Sequence, residues 1–148
     1  AMVSLTKGEG FGRPLLEFTT SKKPLITTKF SGHLDFLDPN YVTLINGELK
    51  NVHPSAANKF LLQESQWFNP DHNEVGFYLK DVFENYKNYT SGAKKQYEKT
   101  TNEFSWDKMK EKIDSILDNY IPEFPKEIKL ELPKLNKIQL PKLEKVNG

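Results

Sequence analysis

The sequence predicts an α/β fold: a short parallel sheet of three to four strands with helices on its faces, then C-terminal helices and an extended Pro/Leu/Lys arm. Three observations predict it. Residues 2–28 read as strand, glycine turn, helix and strand; residues 73–117 place apolar side chains at helical spacing; and from Pro122 onward leucine, lysine and proline alternate. The chain accordingly divides into residues 1–121, the folded part, and residues 122–148, an arm or tail.

The first strand is Met2-Val3-Ser4-Leu5-Thr6, which alternates apolar and polar before Lys7-Gly8-Glu9-Gly10-Phe11-Gly12. Pro14 suits the first turn of a helix, where a missing N–H costs nothing, and Leu15, Leu16 and Phe18 give that helix an apolar face to about Ser21. Lys23-Pro24 ends it, and Leu25-Ile26-Thr27-Thr28 is the second strand. This is a βαβ unit, which implies parallel strands. Ser31-Gly32-His33 leads into a helical turn over Leu34–Leu37, Asp38-Pro39-Asn40 is turn chemistry, and Tyr41–Ile45 is the third strand, closed by Asn46-Gly47. Ser55 then reads as the cap of a helix burying Ala56, Phe60, Leu61 and Leu62. A second helix, from about Asn73 to Tyr89, aligns Val75, Leu79, Val82, Phe83 and Tyr86 on one stripe. The lysine-rich stretch Thr90–Thr101 also reads as helical, and Ser105 caps a last helix carrying Trp106, Met109, Ile113, Ile116 and Leu117. Beyond it, Leu-Pro-Lys-Leu occurs twice, with prolines that fit an edge strand or an extended arm rather than a central strand.

Composition narrows the function classes. With 148 residues and 36% hydrophobic content the chain supports one domain of modest core. Its 21 basic and 20 acidic side chains nearly cancel, so nothing points to nucleic acid. No apolar run approaches the roughly 20 residues that span a bilayer, so no transmembrane segment is expected. The absence of cysteine excludes disulfides and thiolate metal sites and makes the cytoplasm the expected location, with peripheral association to a membrane still open. His33, His53 and His72 are too scattered to read as a metal site, so none is expected. His33 reads most simply as a loop-exposed or structurally hydrogen-bonded residue, and Trp67, Phe68, Tyr86, Tyr89 and Tyr97 as packing of the helical layer.

The chemistry concentrates in residues 9–17. Glu9 and Glu17 stand eight positions apart, one on the glycine turn and one in the helix behind it. Backbone N–H groups of such a turn and the first turn of the helix can face a phosphate, while the carboxylates accept hydrogen bonds from sugar hydroxyls. On spacing alone, a generic strand–turn–helix with two solvated glutamates accounts for these residues equally well.

The whole run does more. Glu9-Gly10-Phe11-Gly12, Pro14-Leu15-Leu16-Glu17 and Lys23-Pro24-Leu25-Ile26 together resemble the E-G-F-G-x-P-x-x-E … G-K-P-V-I run of retaining glycosyltransferases of the "group 1" family, which have the Rossmann-like GT-B fold. Ser31-Gly32-His33-Leu34-Asp35 and Phe104-Ser105-Trp106 extend the resemblance more loosely, and the tail lies outside it. The resemblance implies that the chain is the C-terminal portion of a donor-binding domain. It makes Glu9 the catalytic candidate, meeting hydroxyls of the donor sugar beside Gly10, Phe11 and Gly12. It sets Arg13 to Leu15 toward the diphosphate and Glu17 on the nucleotide ribose. It implies a nucleotide sugar as substrate, no cofactor or metal, and hexosyl transfer with retention, in keeping with the lack of any Asp-x-Asp. The partners implied are an N-terminal glycosyltransferase domain or a companion chain; self-association through the arm is a further expectation. The chain departs from the family at Lys22, where glycine is usual, and at Arg13, where a small or apolar residue is usual. Without the groups that would enclose the diphosphate charge, the expectation is that this chain alone does not catalyse transfer. A non-catalytic relative that keeps the fold as a binding or oligomerisation module is the alternative.

Overall fold

The structure, a computed structural model, is described over residues 1–121. The arm expected over 122–148 lies outside the described residues. Three parallel strands, β1 (Met2–Ser4), β2 (Leu25–Thr28) and β3 (Thr43–Ile45), pair in the order β1-β2-β3, with Val3 opposite Ile26 and Thr27 opposite Leu44. α1 (Arg13–Thr19) crosses from β1 to β2, and a single 3-10 turn (Gly32–Asp35) lies between β2 and β3. The α/β class and the strand–helix–strand layout of residues 2–28 are as expected.

The sheet is buried on both faces, as its unbroken Leu-Ile-Thr-Thr strand requires. One face packs Leu15, Leu25, Phe36 and Leu37, with Phe104 closing over them; the other packs Ile26 and Ile45 against Val75 and Val82. The two fully buried threonines of β2 are satisfied locally: Thr27 Oγ1 donates to Ser4 O and Thr28 Oγ1 to Thr6 O, tying β2 to β1.

Three helices follow: α2 (His72–Glu84), α3 (Tyr86–Glu103) and α4 (Trp106–Tyr120). Asp71 caps α2 through the amides of Asn73 and Glu74, and Ser105 caps α4 through Lys108 N. The helix expected to run to Tyr89 breaks at Asn85, whose side-chain amide donates to Asp81. The polar α3 is held by a buried amide. Gln96 Nε2 donates to Phe36 O at 2.8 Å and its Oε1 accepts from Asp38 N at 2.9 Å, while Thr100 meets Thr19 of α1.

The helix expected after Ser55 does not form. Residues 47–70 instead build an antiparallel pair, β4 (Gly47–Asn51) and β5 (Gln66–Pro70), joined by a loop. Asn58 organises that loop, accepting from the amides of Phe60 and Leu61, a local turn that outcompetes helix. Phe60, expected to be buried, is 86% exposed. Phe68 is buried, yet it stacks on Phe30 with centroids 5.0 Å apart rather than joining the helical layer. Among the described residues no helix is long and apolar enough to cross a membrane.

Candidate functional site

The strand ends position the site. β1 and β2 run side by side and release their chains at the same edge of the sheet, so the Glu9 turn and the Ser31-Gly32-His33 loop emerge as neighbours. They are laced together. Glu9 N–H donates to Ser31 Oγ at 2.8 Å, and Gly32 N–H donates to Glu9 O at 3.0 Å. The two chains come so close at Gly32 that a Cβ there would lie 2.0 Å from Gly10 O. The sequence sets these two motifs 22 residues apart; the fold makes them one surface.

Ser31 is held at φ 74°, ψ −162°, a conformation that non-glycine residues avoid at a cost of about 1–3 kcal/mol. Its hydroxyl is the group that receives the Glu9 amide, so the strained residue is the one that fixes the turn. Gly12 takes φ 81°, and a Cβ there would stand 2.9 Å from His33 Cβ. His33 lies beneath the turn, fully buried. A carbonyl only accepts, so His33 Nε2 carries the proton that it donates to Thr28 O at 2.6 Å; Nδ1 is buried and has no partner among the described residues. Of the readings open for this residue, the structurally hydrogen-bonded one holds.

The remaining expected site residues fall into three settings. Glu9 is half-buried, its backbone engaged on both sides. Phe11 is 40% exposed and rests on Phe36 and Phe104, at centroid distances of 5.1 and 6.2 Å, which joins the glycine turn to the Phe104-Ser105-Trp106 run. Arg13 and Glu17 lie on the exposed side of α1, one turn apart, and pair through Nε–Oε1 at 2.7 Å. Gly10 is exposed with open space around its Cα.

Leu15 is different. Its side chain is in the core, 2% exposed, and its amide donates to Gly12 O at 2.9 Å, as does that of Leu16 at 3.1 Å. Pro14 has no N–H. The first turn of α1, only seven residues long, therefore has little donor capacity for a phosphate, and Leu15 anchors the turn instead of facing a ligand.

Lys22 takes φ 58°, the left-handed region that favours glycine, and its ammonium lies 4.1 Å from the Tyr97 ring centroid.

Sequence reasoning missed a polar cleft of about 440 Å³ along the outer edge of β3, lined among others by Lys29, Asn46, Glu74, Tyr78 and Tyr89. The Glu9 turn is not among its lining residues. Tyr89 donates a short hydrogen bond to Asp81, linking α2 to α3. Burial, with Asp81 beside it, pushes the phenol up to about 12, and the same bond holds the Asp81 carboxyl below the usual carboxylate range. Nothing in the sequence beyond an i, i+8 spacing signals that pair. No group of three acidic or histidine side chains suited to a metal ion occurs among the described residues. Comparison of the chain with protein-family models, with curated proteins and with solved structures finds no match.

Proposed function

We propose that the paired loops at Glu9–Gly12 and Ser31–His33 form the sugar-side part of a nucleotide-sugar site, and that the chain is a segment of a retaining glycosyltransferase whose other groups come from further polypeptide. The observation that carries this reading is the lacing of Glu9 to Ser31 and Gly32 at the C-terminal ends of two adjacent parallel strands. Ligands of open α/β sheets bind outside those ends. The half-buried Glu9 stands there with its backbone fixed and its carboxylate available for sugar hydroxyls; the motif resemblance names the sugar as that of an activated donor. Glu17, restrained by Arg13, is assigned to the ribose. The diphosphate charge is to be met by basic groups and amides of the completing polypeptide, and the reading calls for no metal. The cytoplasm, where nucleotide sugars are made, fits a chain without cysteine.

The test is an amide NMR titration with uridine-, guanosine- and adenosine-diphosphate glucose. One donor should move the resonances of Gly8, Gly10, Gly12 and Gly32 with weak, saturable affinity. Glu9→Gln should weaken that binding about tenfold, the loss of one hydrogen bond to a charged group. If no donor moves these glycines, or Glu9→Gln leaves the affinity unchanged, the reading fails. The alternative, a non-catalytic assembly module, is favoured by α4, of which none is buried among the described residues and whose Trp106 is 84% exposed. Glycine resonances silent to every donor, in a protein that sediments as an oligomer, would select it.

A further inference from the structure

The β4–β5 pair builds a second polar surface beside the start of the glycine turn. Antiparallel register sets Lys50 directly opposite Trp67 and Glu48 opposite Asn69, so these four side chains stand on one face of the pair. Phe68, between Trp67 and Asn69, turns to the other face and stacks on Phe30. Its N–H donates to Lys7 O at 3.0 Å, which brings residue 7 alongside β5. The Lys7 ammonium then donates to Asn69 Oδ1 at 3.0 Å and lies 5.0 Å from the Trp67 ring centroid. Lys7, Lys50, Trp67 and Asn69, with His53, line a cleft of about 380 Å³, within the span of small-molecule sites.

The polar groups of this cleft share one hydrogen-bonding sense. Lys7 and Lys50 only donate. The Asn69 oxygen is engaged by Lys7, which leaves its NH2 group as a donor. Ser55 N–H donates to His53 Nδ1 at 3.2 Å, so the ring proton sits on Nε2, one donor more. No aspartate or glutamate is among the described residues that line the cleft. Among the described residues Lys7 has no carboxylate partner, while Lys50 is held by Glu48 at 2.7 Å in a pair exposed to water. Donors converging around an unpaired ammonium suit an anion with several acceptor oxygens. A phosphate monoester presents three such oxygens and close to two negative charges. The indole beside them is a wall for the ring that the phosphate is attached to. We propose that this cleft binds a small phosphate monoester carrying a single ring, of the size of a sugar phosphate. Neither Glu9–Gly12 nor Ser31–His33 lines it, so the inference does not rest on the donor-sugar reading.

NMR titration of the whole chain tests it, with glucose 6-phosphate, glucose and inorganic phosphate as probes. Glucose 6-phosphate should move the Trp67 indole N–H and the Asn69 side-chain amide along a saturable curve. Gly10, Gly12 and Gly32, which report the other site, should stay in place. Inorganic phosphate should bind about tenfold more weakly than the ester, for want of the ring, and glucose should not bind. Lys7→Gln should weaken the ester about tenfold, the loss of one hydrogen bond to a charged group. Glu48→Gln should strengthen it about threefold, because it releases Lys50 from an exposed ion pair. Both substitutions fall on exposed side chains, so amides elsewhere should keep their positions. Equal binding of glucose and its phosphate overturns the proposal, as does unchanged affinity in Lys7→Gln. Equal affinity for the ester and inorganic phosphate overturns it too, since the indole wall would then contribute nothing. So does an ester that moves the three glycines and leaves Trp67 in place.

Discussion

Gly32 carries a constraint of space alone. A methyl group there would meet Gly10 O at 2.0 Å, Gly10 C at 2.6 Å and Glu9 O at 3.0 Å, all backbone atoms of the turn that it packs against. No flexible side chain can yield, so the two loops must part. Gly32→Ala should destabilise the protein by about 3 kcal/mol, the upper part of the usual overpacking range. Gly10→Ala is the matched control. A Cβ on Gly10 would meet nothing within 4 Å, and its substitution should change stability by no more than about 1 kcal/mol. Urea midpoints of the two variants separate the cases; equal midpoints would mean that the loops are not in contact. At this scale the sequence was informative where a residue is its own signal. Glycine at 12 announced a turn, and the turn has φ 81°. It was silent where the constraint comes from across the fold. Nothing local marks Ser31 as strained, or His33 as the floor of the turn, because both depend on β1 and β2 ending side by side.

Between elements, the bond from Tyr89 of α3 to Asp81 of α2 spans the break between the two helices at Asn85. Its pH dependence has a definite sign. The Tyr89 phenol is raised from 10.0 to about 12 in the folded protein, by burial first and by Asp81 second. A raised phenol means that the folded state holds its proton where the unfolded chain releases it. The contribution is therefore complete below pH 10 and lost as pH climbs toward 12. Thermal unfolding midpoints of the natural protein should fall across that window, and those of Tyr89→Phe should start lower and fall less. Parallel curves for the two proteins would remove the bond's role. The break at Asn85 also shows why element types were more legible than element ends. Helical spacing over residues 73–89 was clear, but the break at Asn85 is made by a side-chain amide reaching back to Asp81, and single-residue capping of that kind has no periodicity to read. The misread of residues 55–62 has a similar origin. Apolar residues there fit a helical face, yet Asn58 offers the backbone a turn, and the strands on either side take the pairing.

Across the whole molecule stability is uneven, and the order can be anticipated. β2 is buried along its length between two layers, with Ile26, Thr27 and Thr28 fully inaccessible. α4 is the opposite: its apolar residues repeat at positions 106, 109, 113, 116 and 120, yet among the described residues none of the helix is buried. A helix of 15 residues has little stability of its own in water; packing normally supplies it. Its attachment is Phe104, which precedes the Ser105 cap and packs against the core residue Phe36 and the half-exposed Phe11. Among the described residues, opening α4 from its C-terminal end exposes almost no additional apolar surface, whereas opening β2 requires unfolding the domain. Native-state hydrogen exchange should find the α4 amides past Met109 at least about a hundredfold less protected than those of Ile26 and Thr27, a gap of nearly 3 kcal/mol in opening free energy. Denaturant should affect α4 exchange only weakly, since the slope follows the surface exposed. Protection in α4 equal to that of β2 would mean that the seam from Trp106 to Tyr120 is covered by another surface, either of this chain or of another. The residues forming that cover would then belong to the domain's cooperative unit.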